Sequence, residues 1–160
     1  MVILGVDPGL ASSGWGVVEK NGNRVRHLSH GCIETSPRQA HAQRLLQIYQ
    51  HIKAVIAQWG PASGAVETLY FAKNVKSAMP VAEARGVLCM AMAEAGLSVY
   101  EYSPATIKLA ITGVARAEKT QVQEMTRLIL GLEKTPSPNH AADALGAAIC
   151  CANTALLGPA

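Results

Sequence analysis

Asp7 closes a short apolar run, Val2-Ile3-Leu4-Gly5-Val6, and Pro8-Gly9 follows at once. A carboxylate at the tip of a buried strand, where the chain must turn, calls for a partner, because an unpaired buried charge is costly. Glu67 ends a second apolar strand, Gly64-Ala65-Val66. Asp143 lies three residues after His140, so on a helix the two share a face. Three acids and an imidazole from distant stretches of chain form a donor set for hard divalent ions, magnesium or manganese. Gathered carboxylates raise one another's pKa unless a cation neutralises them. Two such ions, ~3.5–4 Å apart, activate water and stabilise a leaving oxygen, as phosphodiester cleavage requires. Singly, each residue has a plainer reading: a turn acid before Pro-Gly, a solvated strand end, an exposed helix position, a helix cap. The four together point to metal chemistry.

These side chains need elements to carry them. Residues 2–7, 14–19 and 24–34 read as strands of an antiparallel meander, with Asn21-Gly22 as a hairpin turn. On the third strand Val25, His27 and Ser29 alternate with Arg26, Leu28 and His30. Ser36-Pro37 predicts a helix start, and Leu45, Ile48, Tyr49, Ile52, Val55 and Ile56 keep helical spacing until Gly60-Pro61. A strand at 63–67, a loop at 68–74 and a long helix at 75–95 follow. That helix is apolar on more than one face, so one face is free to meet a second subunit. A strand at 98–102 precedes a helix capped by Ser103-Pro104. A loop at 114–117 leads to a helix bearing Val122, Met125 and Ile129, and Ser137-Pro138 opens a last helix to about Ala152. The order predicts one α/β domain over 1–160 with a mixed five-stranded sheet flanked by helices. Sequential pairing puts the first strand beside the one ending at Glu67. If they run parallel, both acids emerge at one sheet end, where such sheets bind ligands.

Composition bounds this reading. A chain of 160 residues with 49% hydrophobic and 16% charged residues can bury a sizeable core and is too apolar for disorder. The net charge of +3 permits nucleic-acid binding without demanding it. Cys32, Cys89, Cys150 and Cys151 form no C-x-x-C pair, which argues against zinc and for small buried thiols in a reducing cytoplasm. Neither a signal-peptide pattern nor a run of ~20 apolar residues is present, so a cytoplasmic protein without a membrane span is expected.

The stretches Gly5-Val6-Asp7-Pro8-Gly9, Glu67-Thr68-Leu69-Tyr70-Phe71-Ala72-Lys73-Asn74, Ala84-Arg85-Gly86 and Asn139-His140-Ala141-Ala142-Asp143-Ala144-Leu145 occur in order along nearly the whole chain. Together they resemble the RuvC family of Holliday-junction resolvases. The resemblance implies a ribonuclease-H-like fold, a homodimer and a Mg²⁺-dependent endonuclease, with Mn²⁺ as a substitute and two ions per subunit. Its substrate would be a four-way DNA junction, cut by paired symmetric nicks in recombination and repair, with delivery by a branch-migration helicase complex. Asp7, Glu67, His140 and Asp143 align with the family's metal-binding and catalytic positions; some members carry Asp where this chain has His140. Tyr70 or Phe71 takes the place of an aromatic that probes the junction centre, where base stacking contributes ~1–3 kcal/mol. Lys108 and Lys119 match basic positions near the scissile phosphate, Lys119 acting in catalysis, and Lys73, Lys76 and Arg116 extend the phosphate-binding surface. One departure is Ala115, where the family usually has a second glycine after Gly113.

Three rival classes fit less well. Actin-like phosphotransferases share an acid-x-Gly after the opening strand but need two related domains, and no G-x-x-x-x-G-K-[ST] loop occurs. A junction-binding module that does not cleave would not need the full acid set. A nuclease for RNA–DNA hybrids would share the fold and differ in substrate.

Overall fold

The structure is a computed structural model that describes residues 1–68 and 75–154, with the backbone alone for 75–77. Strands β1 (Val2–Asp7), β2 (Ser12–Asn21) and β3 (Arg24–Glu34) form the expected meander. Helix α1 (His41–Trp59) leads to β4 (Ser63–Glu67), α2 (Val75–Glu94) and β5 (Ser98–Tyr102). Helices α3 (Pro104–Thr112), α4 (Lys119–Leu130) and α5 (Asn139–Thr154) complete the described chain. The sheet order is β3-β2-β1-β4-β5, with β4 parallel to β1 and β5 parallel to β4. The mixed five-stranded sheet is therefore as the sequence implies.

Strand side chains alternate between two layers. Leu4, Val6 and Val66 face α1 and α2, where Ile48, Ile52, Leu88 and Met92 are buried. Ile3 and Ala65 face the other way, onto α3 and α5. By the same parity Gly5, Asp7 and Glu67 point to the α5 side.

Helix α5 lies unusually close to this sheet. A Cβ on Gly5 would collide with the Ala144 carbonyl oxygen, and one on Gly14 with the His140 carbonyl oxygen. The facing helix is built of small side chains, with Ala141, Ala144, Ala147, Ala148, Cys150, Cys151 and Ala152 all buried. Glycine in the strands and alanine in the helix together allow the approach.

Several element boundaries differ from the sequence reading. Helix α1 begins at His41 after Ala40, not at Ser36-Pro37. The Ser36 hydroxyl instead accepts from the Arg38 amide at 3.2 Å while the Gln39 side chain accepts from the Ser36 amide at 3.0 Å. The capping groups are consumed in a local turn. The hairpin loop is Gly22-Asn23, one residue later than expected, and Gly22 supplies the left-handed φ of 58°. Strand β2 is longer than 14–19, and a bulge at Val17/Val18 leaves Leu28 opposite no partner. The bulge breaks the expected alternation, so His27 and His30 share a face, with their rings 2.7 Å apart at Nε2 and Nδ1. Cys32 and Cys89 are half-buried rather than buried, unlike Cys150 and Cys151. Ser137-Pro138 is a cis peptide just before α5, which starts at Asn139 and runs to Thr154. Among the described residues no helix is long and apolar enough to cross a membrane.

Candidate active site

The register of the sheet builds the site. Val6 pairs with Val66 in the parallel β1–β4 ladder, so Asp7 and Glu67 leave adjacent strands side by side at their carboxyl ends. On its other side Asp7 pairs with Gly14, the residue that lets α5 approach. His140, in the first turn of α5, therefore sits over Asp7, with its Nδ1 2.7 Å from Asp7 Oδ2. Three residues further along α5, Asp143 Oδ2 accepts from Lys119 Nζ at 2.9 Å. Behind Asp7, the buried Ser13 hydroxyl donates to the Gly9 carbonyl at 2.6 Å and accepts from the Gly9 amide at 3.2 Å, which braces the Pro8-Gly9 turn.

The electrostatics match a crowded acid cluster. Burial pushes the Glu67 carboxyl up to about 7, the charges of Asp7 and Asp143 add to the rise, and Lys119 and Lys108 oppose it. Burial also raises Asp7, against the hydrogen bond and charge of His140. Both carboxyls thus resist ionisation, and a divalent cation bound between them would favour their charged forms. No three His, Cys, Asp or Glu side chains among the described residues are gathered tightly enough to hold one ion. Asp7 pairs with His140 and Asp143 with Lys119.

A cleft of about 200 Å³ opens beside the cluster, lined by Glu67, Asp143, Lys108 and Lys119 among others. Two of the predicted basic residues are therefore at the site. Lys119 is the first residue of α4, whose Glu118–Gln121 capping box fixes its start. Arg116 is exposed on the turn that the Ala117 amide closes onto the Val114 carbonyl at 3.1 Å, and it does not line the cleft. In this stretch Gly113 takes a left-handed φ of 75° as the cap of α3, and Ala115 sits inside the turn. Tyr70, Phe71 and Lys73 lie outside the described residues, as does the side chain of Lys76 on α2. Sequence reasoning misses Gly14 and Ser13. Gly14 has a readable signal, a small residue two before Gly16 on a strand facing an alanine-rich helix.

Two acids on neighbouring parallel strands, under a helix that brings a histidine and a third acid, define a nuclease of the ribonuclease-H-like class. The family model described as crossover junction endodeoxyribonuclease RuvC matches residues 3–151. A protein of that description from Heliobacterium modesticaldum is 48% identical over 160 residues, covering 100% of this chain and 99% of the relative. One from Treponema denticola is 48% identical over 156 residues, covering 98% and 88%. The solved structure of T. thermophilus RuvC in complex with Holliday junction substrate superimposes with a TM-score of 0.94 at 37% identity, covering 99% of this chain and 96% of that one. The chain belongs to the RuvC family of crossover junction endodeoxyribonucleases. Nucleases of this family depend on metal ions. The yeast mitochondrial resolvase Ydc2, at 14% identity and a TM-score of 0.63, shares the fold.

Proposed function

We propose that this chain resolves four-way (Holliday) DNA junctions by paired symmetric nicks in recombination and repair. The observation that carries the reading is the convergence of Asp7, Glu67, His140 and Asp143 from β1, β4 and α5 beside Lys119 and Lys108. The whole of 1–160 acts as one nuclease domain in the cytoplasm.

Asp7, Glu67, Asp143 and His140 would hold Mg²⁺, or Mn²⁺ in its place, as two ions per subunit. Their oxygen-rich set suits hard cations, and His140 can offer a ring nitrogen. Such ions supply charge neutralisation at the phosphate and a lowered pKa for the attacking water. The protein's own groups do the rest. Lys119, released from Asp143, and Lys108 place positive charge where the phosphorane charge develops. The Ser13-braced turn keeps Asp7 at the strand tip, and His140 holds the Asp7 carboxylate in one orientation. Arg116, Lys73 and Lys76 extend the contact with phosphates, and Tyr70 or Phe71 probes the junction centre by stacking.

Paired nicks need two sites related by a twofold axis. On α2 the residues Met79, Glu83, Gly86 and Met90 share a solvent-facing side, with Met79 58% and Met90 56% exposed. A Cβ at Gly86 would meet open space, so a second helix can approach there. This side of α2 is the homodimer contact. A branch-migration helicase complex delivers the junction.

The test is a labelled mobile four-way junction with Mg²⁺, with linear duplex and RNA–DNA hybrid as competitors. The wild type should cut opposed strands of the junction, and Asp7→Asn should bind it without cutting. Intact junction across a full Mg²⁺ and Mn²⁺ titration would overturn the proposal, and preferred cutting of the hybrid would reassign the substrate.

A further inference from the structure

A second cleft, of about 440 Å³, meets the acid cluster from another side. It is lined by the Pro8-Gly9 turn, Ser12, Arg44, Pro80 and His140 among others. The first cleft reaches the cluster through Glu67 and Asp143; this one reaches it through His140 and the turn that follows Asp7. Neither Lys108 nor Lys119 lines it.

Its cation is Arg44, half-buried in the first turn of α1. The Arg44 Nε donates to the Thr35 hydroxyl at 2.8 Å, and that hydroxyl, itself buried, donates to the Leu10 carbonyl at 2.5 Å. The relay ties the guanidinium to the loop following Asp7 and leaves its two terminal nitrogens without a hydrogen-bond partner among the described residues. Arg26, Arg85 and Arg127 pair with Glu19, Glu101 and Glu124. Arg44 makes no ion pair among the described residues, and the first turn of α1 holds no acid. Arg24, Arg38 and Arg116 also make no ion pair among the described residues, but all three are exposed where Arg44 is half-buried. Glu34, next to Thr35 in sequence, is engaged by the Ser12 hydroxyl at 2.6 Å. A neutral hydroxyl holds the guanidinium still without cancelling its charge. That is the arrangement of a preoriented anion donor, since a planar fork held at one nitrogen can still grip two oxygens.

We propose that Arg44 binds a backbone phosphate of the nucleic-acid strand that crosses the acid cluster, on the His140 side. Lys108 and Lys119 hold the strand on one flank of the reacting phosphate, and Arg44 holds it on the other. With both flanks fixed, the scissile bond is centred over the carboxylates, so Arg44 is a positioning residue. This inference rests on the reading of the site as a junction nuclease.

The test measures junction affinity against NaCl concentration for full-length protein carrying Asp7→Asn, alone and with Arg44→Gln or Arg44→Lys. Removing one phosphate-binding cation lowers the slope of log affinity against log salt by roughly 0.9. Arg44→Gln should flatten the slope by about that amount per subunit, and Arg44→Lys should retain it. A purely structural role through Thr35 and Leu10 would affect both variants alike in thermal unfolding and leave the slope unchanged. An unchanged slope with Arg44→Gln, while the Asp7→Asn parent still binds the junction, overturns the Arg44 assignment alone. A parent that ignores the junction at every salt concentration removes the junction reading and this one with it.

Discussion

Glu67 is the residue on which the acid cluster can be read most directly. Its folded carboxyl titrates at about 7 against an ordinary 4.5, chiefly because it is buried. Between those values the folded protein holds a proton that the unfolded chain has lost. The metal-free protein should therefore lose stability as pH rises from about 4.5 to 7. The unfolding temperature followed by circular dichroism should fall across that window, and Glu67→Gln should flatten the fall. Mg²⁺ added above pH 7 should restore the wild type but not the variant. A level profile in metal-free wild type would place Glu67 in a solvated setting. Lys119 makes a complementary case. Its bond to Asp143 is half-exposed, so its loss should change stability by less than about 1 kcal/mol. On the proposed reading the same charge faces the reacting phosphate, so Lys119→Ala should slow single-turnover junction cleavage on the order of 100-fold. Equal rates for wild type and variant would remove Lys119 from the chemistry.

At the scale of elements, the site depends on how tightly α5 seats on β1 and β2. His140 and Asp143 share a helix face by sequence spacing alone, but their distance from Asp7 is set by Gly14 and Gly5. Gly14→Ala would drive a methyl into the His140 carbonyl. Overpacking of this kind costs about 1–3 kcal/mol, and a displacement of the first turn of α5 by even ~1 Å can cost roughly 100-fold in rate. Thermal unfolding and cleavage should thus both suffer, the second out of proportion to the first. Full cleavage by Gly14→Ala would show that the helix is seated by something else. The elements themselves are largely legible. β1, β3, β4 and β5 and the stop signals at Gly60, Gly113 and Gly131 read correctly because apolar period and left-handed glycine caps are local. The start of α1 is misread because Ser36 spends its hydroxyl on the turn before the helix, and nothing in the sequence says which of two local bonds wins. The bulge at Val17/Val18 is invisible for a similar reason, since a shift of one residue depends on the partner strand.

At the scale of the whole molecule, the proposed homodimer turns on which side of α2 would meet the second copy. The spread of apolar residues along that helix marks two usable faces and leaves their assignment open. Leu88 and Met92 are fully buried and Val87 packs against the same core, whereas Met79 and Met90 stand in solvent. Val87→Glu would therefore unfold the protein as readily as it would separate subunits. Met90→Glu should instead yield monomers in sedimentation, with an unchanged unfolding transition, and should reduce paired nicks to single nicks. Dimers that persist with Met90→Glu would move the interface to another surface.

The sequence by itself determined the chemistry available and the elements that carry it. Four metal-competent side chains stand at strand tips and on one helix face, because residue type and local period are properties of the chain alone. Tertiary structure decided that they meet. Convergence depends on the parallel register of β1 and β4, on strand glycines thin enough to admit α5, and on which layer each face buries. These are long-range choices, settled by packing between segments 60 residues apart for β1 and β4 and 133 apart for the bond between Asp7 and His140. The same holds for Arg44, whose identity is plain in the sequence but whose freedom from any acidic partner among the described residues appears only once Thr35 and the loop after Asp7 are folded against it.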